Sequence, residues 1–379
     1  MARNALVFDY KIFAVFLFLF IVGMVFLVST TFSSSHEIYG STTYFLFHQI
    51  KFGVLPGLFL GLICFLFPLH KIRKLSFLGV GLALIATGFV FLPGVGVNTG
   101  GASRWISFGP LLFQPSEFLK IAFIVYLAAW ISSKRKEGAD LRQGVKFWAA
   151  KDLTILFLPF LAILAVVCLL FYLQPDISTL MIVIASALIM FGTAKTRPLY
   201  NLFLVCGIGA AFAAFVSFSS YRLERVLTLL NEKADPMGSG YQISQSLIAI
   251  GSGGWFGKGI GAGMQKFGFL PHPASDSVFA VMAEETGFVG CLIVVLAFFA
   301  LAFFGFRMAK EARDDFSRML AVGIVSWITL QSFVHMGAMA GIFPLTGIPL
   351  PFISYGGSHL IAEFMGMGIL LNVSRNIKT

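Results

Sequence analysis

The stretch IFAVFLFLFIVGMVFLVST, residues 12–30, carries no charged side chain, and it decides the class of fold. An apolar run of about 18 or more residues is long enough for a helix to cross the hydrocarbon core of a bilayer. Similar runs recur along the 379-residue chain, which is 58% apolar, only 12% charged, and has a mean hydropathy of +0.89. A soluble domain has roughly half apolar and a quarter charged residues. The sequence therefore predicts a multi-pass membrane protein.

The apolar runs predict an all-α polytopic membrane fold of ten transmembrane helices in a single membrane domain, residues 1–379. The approximate spans are 12–30, 52–69, 76–94, 117–132, 153–173, 177–194, 199–217, 277–305, 319–341 and 357–373. No small-residue cleavage site follows the first run, so we interpret it as a span and not as a signal peptide.

The formal net charge of +10 reflects topology and not a nucleic-acid partner. Most of the 27 lysine and arginine residues fall in segments that are cytoplasmic when the N-terminus is cytoplasmic. Such an excess of basic residues on the inner side sets the orientation of membrane proteins. We therefore predict a multi-pass protein of the cytoplasmic (inner) membrane with both termini in the cytoplasm, and no nucleic-acid binding.

The loops between the predicted spans are unequal in length, which indicates where chemistry takes place. The predicted segments are an outer loop (95–116), a cytoplasmic loop (133–152), a large extracytoplasmic loop between helices 7 and 8 (218–276) and a last outer loop (343–357). Long connections are usually functional. The last loop contains three prolines and three glycines, and irregular backbone at membrane depth normally lines a cavity. We therefore expect the site on the outer face.

The large extracytoplasmic loop contains one helical and one glycine-rich stretch. YQISQSLIAI, residues 241–250, has the apolar spacing of a short interfacial helix. GSGGWFGKGIGAG, residues 251–263, is not a dinucleotide fingerprint because no strand precedes it. Two interpretations remain open. The segment is a loop whose backbone amides approach an anionic group, or it is a plain re-entrant turn.

Cysteine and histidine patterns do not indicate metal or redox chemistry. The four cysteines lie inside apolar runs without CxxC spacing, and the six histidines show no spacing typical of metal ligands. A buried apolar role is the simplest interpretation of the cysteines.

Asp276 is the candidate catalytic residue. It stands in FLPHPASDSVFAVMAEETG, residues 269–287, between a proline-rich turn and an apolar run. It could cap a helix, as Ser and Asp often do, or accept a proton from a hydroxyl at the outer face. Glu284 is eight residues further on, about 12 Å along a helix. We therefore assign Glu284 and Glu285 a structural or gating role.

Four further candidates lie in GASRWISFGPLLFQPSEFLK, residues 101–120. Glu117 and Lys120 are three apart on a helix and so share one face. They form an internal ion pair, or Lys120 meets an anionic headgroup; the two interpretations are compatible. Arg104 and Trp105 suit an outer interface, where Trp anchors and Arg binds phosphate.

Cations of the large outward loop suggest an anionic ligand on the outer face. Positive charge outside runs against the usual topology of basic residues. We assign Lys258 and Lys266 of this loop, together with Ser354 of the last outer loop, to substrate binding.

Several long motifs in order resemble the SEDS family, to which RodA and FtsW belong. They are GASRWISFGPLLFQPSEFLKIA, QPD, YRLERVLTLL, DPMGSGYQISQSLIAIGSGGWFGKGIGAG, FLPHPASDSVFAVMAEETGFVG and GIFPLTGIPLPFISYGGS, from about residue 95 to the C-terminus. The resemblance implies a ten-helix peptidoglycan glycosyltransferase that polymerises lipid II on the outer face of the cytoplasmic membrane. It places the essential acid on Asp276, the glutamate and lysine of the QPSE motif on Glu117 and Lys120, and the RW pair on Arg104 and Trp105.

The same resemblance implies the chemistry and the partners. The 4-hydroxyl of one lipid II would attack the anomeric carbon of another and displace undecaprenyl pyrophosphate, with Asp276 as base and Lys120, Arg104 and loop cations stabilising the leaving group. A divalent cation (Mg or Mn) as cofactor is left open. The implied partners are a class B penicillin-binding protein acting as transpeptidase, other division or elongation proteins, and membrane lipids.

Some residues depart from the family pattern. Asp276 lies between two serines, where Thr and Phe are usual, and His335 stands where Asn is frequent. His359 replaces a serine, and Glu363 stands where a neutral residue is expected. Because these last two are four apart on a helix, we predict a direct His359–Glu363 contact. The motifs are slightly closer to division-type FtsW than to elongation-type RodA.

Two functions of other classes compete with a polymerase. A lipid II flippase would also need intramembrane charges and broken helices, although no clear inverted repeat is visible. A non-catalytic scaffold for the transpeptidase would not need Asp276. Replacement of that residue distinguishes the scaffold from the enzyme.

Overall fold

The computed structural model of the protein describes residues 8–99, 102–108, 111–140, 157–174, 176–193, 202–207, 209, 238–375 and 377. About three-quarters of these residues are helical, which confirms the all-α polytopic class. The α-helices are α1 (Tyr10–Tyr39), α2 (Tyr44–Gln49), α3 (Leu55–Leu66), α4 (Leu69–Phe89), α5 (Pro115–Asp140), α6 (Leu158–Leu173), α7 (Ile177–Thr193), α8 (Ser239–Gly253), α9 (Val278–Glu311), α10 (Asp315–Met339) and α11 (Gly357–Ser374). Residues 202–207 are helical as well.

Within the described residues, six helical segments are long and apolar enough to cross a membrane. They are Tyr10–Tyr39, Tyr44–Leu66, Leu69–Phe89, Pro115–Lys134, Val278–Glu311 and Asp315–Met339. Two shorter apolar helices are α6 and α7. The predicted span 357–373 is the helix α11. Most of the predicted span 199–217 lies outside the described residues, so the count of ten stays a prediction.

The core of the bundle lies around α10 and α5. Their apolar windows are 78% and 72% buried, whereas that of α4 is only 22% buried, which is expected of a helix that faces lipid. Polar side chains within α10, including Gln331 and His335, are buried with it and therefore need partners inside the protein.

Glycines allow α3 and α11 to approach closely. Gly53, Gly57 and Gly61 recur every fourth residue, and a Cβ on Gly61 would lie 2.8 Å from the carbonyl oxygen of Phe364. A Cβ on Gly368 would overlap the carbonyl of Gly61. Small residues at such spacing bring membrane helices into backbone contact. The segment from α2 to α3 also contains a π-helical turn, Ile50–Val54, which ends two residues before Pro56, a residue with no amide hydrogen to donate.

The predicted outer loop 95–116 is more ordered than its glycine content suggested. It forms a three-stranded antiparallel sheet of β1 (Gly96–Thr99), β2 (Ala102–Phe108) and β3 (Leu111–Phe113). Ile106 of β2 pairs with Gly96 on one side and with Phe113 on the other, and its side chain is buried. In the cytoplasmic loop, α5 continues to Asp140, while residues 141–152 lie outside the described residues.

The predicted span 277–305 is not one continuous helix. The helix α9 is broken at Gly287, whose φ of 67° and ψ of −165° are non-helical. We call residues 278–286 the entry segment of α9 and residues 288–311 its spanning segment. Glu284 and Glu285 therefore lie at the end of the entry segment and not inside a regular span.

Candidate functional site

Asp276 lies at the end of the turn that leads into α9. The N-cap of α9 is Ser277, and its side chain makes no capping hydrogen bond. Its hydroxyl instead donates to the carbonyl of Pro271 at 2.8 Å and accepts from Gln242 Nε2 at 3.0 Å. Asp276 is thus one residue before the capping position, and its side chain is half-buried.

The last outer loop holds the backbone just before Asp276. The amide of Tyr355 donates to the carbonyl of Ala274 at 2.8 Å, and Ser354 Oγ donates to the carbonyl of Ser275 at 2.7 Å. A Cβ on Gly347, which has a φ of +64°, would lie 3.7 Å from Asp276 Oδ2. The carboxylate and this loop therefore form one site.

Side chains from three helices satisfy the irregular backbone of the last outer loop. The bonds to it, by donor–acceptor distance, are Ser178 Oγ to Thr346 O (2.6 Å), His335 Nδ1 to Ile348 O (2.8 Å), Gln331 Nε2 to Pro349 O (2.9 Å), Phe352 N to Glu363 Oε2 (2.8 Å) and His359 Nε2 to Ser354 O (3.0 Å). Within the loop, Leu350 N donates to Ser354 Oγ at 2.8 Å. Because buried backbone groups need partners, these bonds give the loop one defined path.

The predicted contact between His359 and Glu363 is wrong. Each side chain binds a different backbone group of the loop, the carbonyl of Ser354 and the amide of Phe352, and no ion pair joins the two among the described side chains. An unpaired backbone group in an apolar interior is costly, so the loop takes both side chains as partners. His335 has the same role one helix away. These three departures from the family pattern thus supply hydrogen-bond partners to the backbone of the last outer loop.

Glu117 and Lys120 form a buried ion pair that continues into the last outer loop. Lys120 Nζ lies 2.8 Å from Glu117 Oε2, and both side chains are 2% exposed. The same ammonium donates to Gln331 Oε1 at 3.0 Å, while Gln331 Nε2 binds the carbonyl of Pro349. The structure therefore favours the internal pair over a contact with an external headgroup. It extends that pair through a glutamine to the loop beside Asp276.

Sequence reasoning missed several of these side chains. Gln331 also accepts from Trp327 Nε1 at 2.8 Å, and Lys120 Nζ lies 5.1 Å from the centre of that indole ring. Ser178 was missed as well. The available signal was a polar residue inside an apolar run, because such residues face a partner or a cavity.

Arg104 and Trp105 lie half-buried on β2 of the outer sheet. This sheet is connected to the start of α11 through Ser358. Its hydroxyl accepts from the amide of Gln114 at 3.0 Å and donates to the carbonyl of Leu112 at 3.3 Å. The strands thereby approach the same end of the bundle as the last outer loop. A substrate-binding role for Arg104 and Trp105 stays a prediction.

The glycine-rich segment packs into the break of α9. Amides of Lys258 and Gly259 donate to the carbonyls of Glu284 and Glu285, both at 3.0 Å. In the other direction, the amides of Phe288 and Val289 donate to the carbonyls of Gly254 and Trp255, at 2.9 and 3.1 Å. A helix can be broken within a membrane protein where a neighbour satisfies the freed backbone groups. The segment is the partner that makes this break possible.

Glycine is required where the two backbones meet. A Cβ on Gly257 would overlap the carbonyl of Glu285, and a Cβ on Gly253 would overlap the carbonyl of Ala283. The segment is therefore neither a dinucleotide loop nor a free linker. Its backbone pairs by hydrogen bonds with the backbone of residues 284–289 at the break of α9.

The carboxylates at the break bind the glycine-rich segment and the two residues that follow it. Glu284 accepts from the amides of Met264 at 2.9 Å and Gln265 at 3.0 Å, and pairs with Lys258 at 2.7 Å. Glu285 accepts from the amide of Gly261 at 3.0 Å. The segment's amides thus do bind anionic groups, and these groups are the chain's own carboxylates. The contacts agree with the structural role assigned to Glu284 and Glu285.

Lys266 is used inside the protein. Its ammonium lies 2.6 Å from Glu285 Oε1, 2.9 Å from Ser29 Oγ and 2.8 Å from the carbonyl of Gly261. A lysine has three donors, so this set leaves no donor for a substrate. Lys258 is 38% exposed while paired with Glu284. The structure therefore replaces a substrate-binding role for Lys266 with a structural one, which sequence alone did not show.

A cavity of about 500 Å³ opens beside the turn that carries Asp276. Its walls include Ser275 and Tyr355 on one side and the outer end of α1, from Thr30 to Glu37, on the other. Tyr355 also shares a 2.9 Å hydrogen bond with His48 Nδ1, and burial raises the pKa of this phenol to about 12, so that it remains neutral. The cavity is large enough for a saccharide-sized group.

The described side chains include no cluster of three or more His, Cys, Asp or Glu residues that could hold a metal ion. A divalent cation as cofactor therefore stays a prediction.

Comparison with known sequences finds one family over almost the whole chain. The FtsW/RodA/SpoVE family profile, described as "Cell cycle protein", matches residues 9–379. Stage V sporulation protein E of Bacillus subtilis (strain 168) is 40% identical over 287 residues, 76% of this chain and 75% of that protein. A probable peptidoglycan glycosyltransferase FtsW of Saccharophagus degradans is 36% identical over 370 residues, 97% of this chain and 92% of that protein.

Solved structures of similar fold cover the chain from end to end. One is a chain from work on structural coordination of polymerization and crosslinking by a peptidoglycan synthase complex, with a TM-score of 0.75, 27% identity and 98% coverage of both chains. Another is the rod shape determining protein RodA of Thermus thermophilus, with a TM-score of 0.69, 23% identity and 99% coverage of both chains. At this identity the second likeness concerns the fold alone.

Proposed function

The chain belongs to the FtsW/RodA/SpoVE family, and from that premise we propose that it is a peptidoglycan glycosyltransferase. It polymerises lipid II into glycan strands on the outer face of the cytoplasmic membrane and releases undecaprenyl pyrophosphate. The names of its relatives support this activity. The observation that carries it is an acid, Asp276, held beside a cavity of about 500 Å³ by a loop whose backbone is bonded on both sides.

Asp276 acts as the general base of this transfer. Its carboxylate takes the proton of the acceptor 4-hydroxyl while that oxygen forms a bond to the anomeric carbon of the donor. The bond between this carbon and the pyrophosphate oxygen breaks, and its electron pair leaves with the pyrophosphate. One base is sufficient, because the leaving group needs no proton. General-base catalysis contributes about 10²–10⁴-fold to rate.

The last outer loop positions the base. Ser354 fixes the carbonyl of Ser275, and Gln331 fixes the loop at Pro349 from the Glu117–Lys120 pair. A displacement of about 1 Å at a reacting group can cost about 10²-fold in rate. We therefore assign Glu117, Lys120, Gln331 and Ser354 as positioning residues. Arg104 remains the candidate cation for the departing pyrophosphate.

The chain works with a class B penicillin-binding protein that crosslinks the new strands. The similar chain from a complex that coordinates polymerization and crosslinking supports such an assembly. Relatives named FtsW and stage V sporulation protein E favour a division-type role over an elongation-type role. We also propose that other division proteins and membrane lipids are partners of the chain, and that both of its termini lie in the cytoplasm.

The break in α9 is the observation that would favour a flippase. In transporters, discontinuous helices turn their free ends toward the substrate. Here the freed backbone groups of the break bind the glycine-rich segment, and both adjacent carboxylates bind that segment as well. The break thus has its partners within the protein, and we rank the flippase second.

The test is polymerisation of purified lipid II by the purified protein with its cognate transpeptidase. Asp276→Ala and Asp276→Asn should lower the rate by about 10²–10⁴-fold. Glu311→Gln is the matched control, because Glu311 is an exposed acid paired with Arg307 far from the outer face. Polymerisation by both Asp276 variants at the wild-type rate would remove the role of Asp276 as base, and absence of polymer from the wild-type protein would remove the enzyme assignment. Transbilayer movement of lipid II without polymer would favour the flippase.

A further inference from the structure

Two cavities lie along α1 and share a wall. The outer cavity, described above, is lined by Thr30, Thr31, Lys266, Phe267 and Ser275 among others. A second cavity of about 500 Å³, which we call the inner cavity, is lined by Val25, Val28, Ser29, Phe32, Ile260, Gly261, Lys266 and Phe267. Lys266 and Phe267 line both, so the two cavities are neighbours that share this short segment.

The outer cavity presents a hydroxyl-rich wall. In the stretch STTFSSSHE, residues 29–37, α1 changes from apolar to polar while remaining helical. The hydroxyls of Thr30 and Thr31 donate to helix carbonyls four residues earlier, at 2.7 and 2.6 Å. Each hydroxyl oxygen therefore keeps lone pairs that can accept hydrogen bonds from a ligand. Such a wall suits a sugar headgroup.

The inner cavity has apolar walls and borders the surface that faces lipid. Val25 and Phe32 of α1 are 41% and 55% exposed, and Ile260 of the glycine-rich segment is 63% exposed. Exposed apolar side chains on a membrane protein contact acyl or isoprenoid chains. The inner cavity is therefore accessible from the bilayer and suits a hydrocarbon chain.

The segment between the cavities is held firmly. The ammonium of Lys266 is bound by Glu285, Ser29 and the carbonyl of Gly261, so it ties the segment both to α9 and to α1. Val25 and Ser34 are nine residues apart, about 14 Å along the helix axis. We call the two adjoining cavities, one with hydroxyl groups in its wall and one apolar, the groove.

We propose that the two cavities together bind one amphiphile, with its saccharide headgroup against the outer end of α1 and the first units of its single hydrocarbon chain in the inner cavity. This inference rests on the proposed function, under which the amphiphile is a polyprenyl-linked saccharide. Ser275 lines the outer cavity directly before Asp276, which brings the headgroup to the base. Lys266 acts as the fixed divider between headgroup and chain.

Binding can be measured without catalysis by using the full chain with Asp276→Asn in nanodiscs. The probe is lipid II that carries a photoreactive group on an isoprene unit close to the pyrophosphate. We expect crosslinks at residues 25–32 of α1 and 260–267. Unlabelled lipid II should abolish these crosslinks, and excess phospholipid should not.

Affinity provides the second arm. Val28→Trp, which fills the inner cavity, should weaken lipid II binding about tenfold, equivalent to about 1.4 kcal/mol. The matched control is Ile21→Trp, at a lipid-exposed position of α1 outside the groove. Unchanged affinity of Val28→Trp, or crosslinks confined to other helices, would overturn the proposal. Groove binding by a protein that does not polymerise would leave this inference standing and remove the proposed function instead.

Discussion

Ser354 Oγ donates a hydrogen bond of 2.7 Å to the carbonyl of Ser275, one residue before the acid Asp276. The two serines are 79 positions apart in the chain, and they join the last outer loop to the turn before α9. The same hydroxyl accepts from the amide of Leu350 at 2.8 Å, so one buried side chain serves both segments.

Ser354→Ala should lower polymerisation more than it lowers stability. Loss of a buried hydroxyl that makes two hydrogen bonds costs about 1–3 kcal/mol, but displacement of the base acts on rate directly. We expect a rate loss of about tenfold or more, with the thermal midpoint of the purified protein only slightly lower. Ser358→Ala is the control, because Ser358 bonds the outer sheet and not the turn of Asp276. Equal losses of rate in both variants would contradict the positioning role.

Lys120 and Gln331 should behave as one unit. Their 3.0 Å hydrogen bond carries the Glu117–Lys120 pair into the last outer loop. Lys120→Met and Gln331→Leu should therefore be non-additive, with a coupling of about 0.5–3 kcal/mol in a double-mutant cycle. The cycle is measured both on the polymerisation rate and on thermal unfolding. Strict additivity would show that the two side chains act independently.

Glu285→Gln should destabilise the protein strongly. It leaves the ammonium of Lys266 buried without its carboxylate, and breaking a buried pair by removing one partner costs about 3–5 kcal/mol. The double variant Glu285→Gln with Lys266→Met removes both charges and should recover part of the loss. The measurement is the thermal midpoint by fluorescence-detected size exclusion. A double variant less stable than Glu285→Gln would contradict the pairing argument.

Gly287→Ala should prevent correct folding. Its φ of 67° and ψ of −165° lie in a region that is essentially limited to glycine, and a Cβ there would overlap the amide of Gly257. Gly81→Ala on α4 is the control, since a Cβ at that helical position meets nothing within 4 Å. We expect loss of monodisperse protein for the first variant and normal yield for the second.

His359→Ser, which restores the usual family residue, should lower the thermal midpoint. The ring nitrogen Nε2 binds the carbonyl of Ser354 at 3.0 Å, and a serine is too short to replace that contact from the same helix position. Leaving a buried carbonyl without a partner costs about 1–3 kcal/mol. A variant as stable as wild type would show that the loop does not depend on this bond.

The membrane spans, the candidate base Asp276 and the order of the motifs could be predicted from the sequence, because each depends on residues that are near one another in the chain. An uncharged run such as 12–30 requires a bilayer wherever it packs, and the position of Asp276 before an apolar run places it at a helix mouth. The helix predicted at 241–250 was confirmed as α8 for the same reason, since its apolar spacing is local.

The break of α9, the partners of Lys266 and the roles of His359 and Glu363 were decided by tertiary structure. The run 277–305 was predicted as one span because its hydropathy does not depend on the backbone conformation at Gly287. Gly287 can leave the helix only because amides and carbonyls of residues 254–259 satisfy the freed groups. Likewise, His359 and Glu363 are helix neighbours whose partners lie on a loop.

The sequence thus determined which segments enter the membrane. Hydrogen bonds between distant segments decided where the helices break and what the buried charges bind, because a buried polar group must find a partner wherever the fold supplies one.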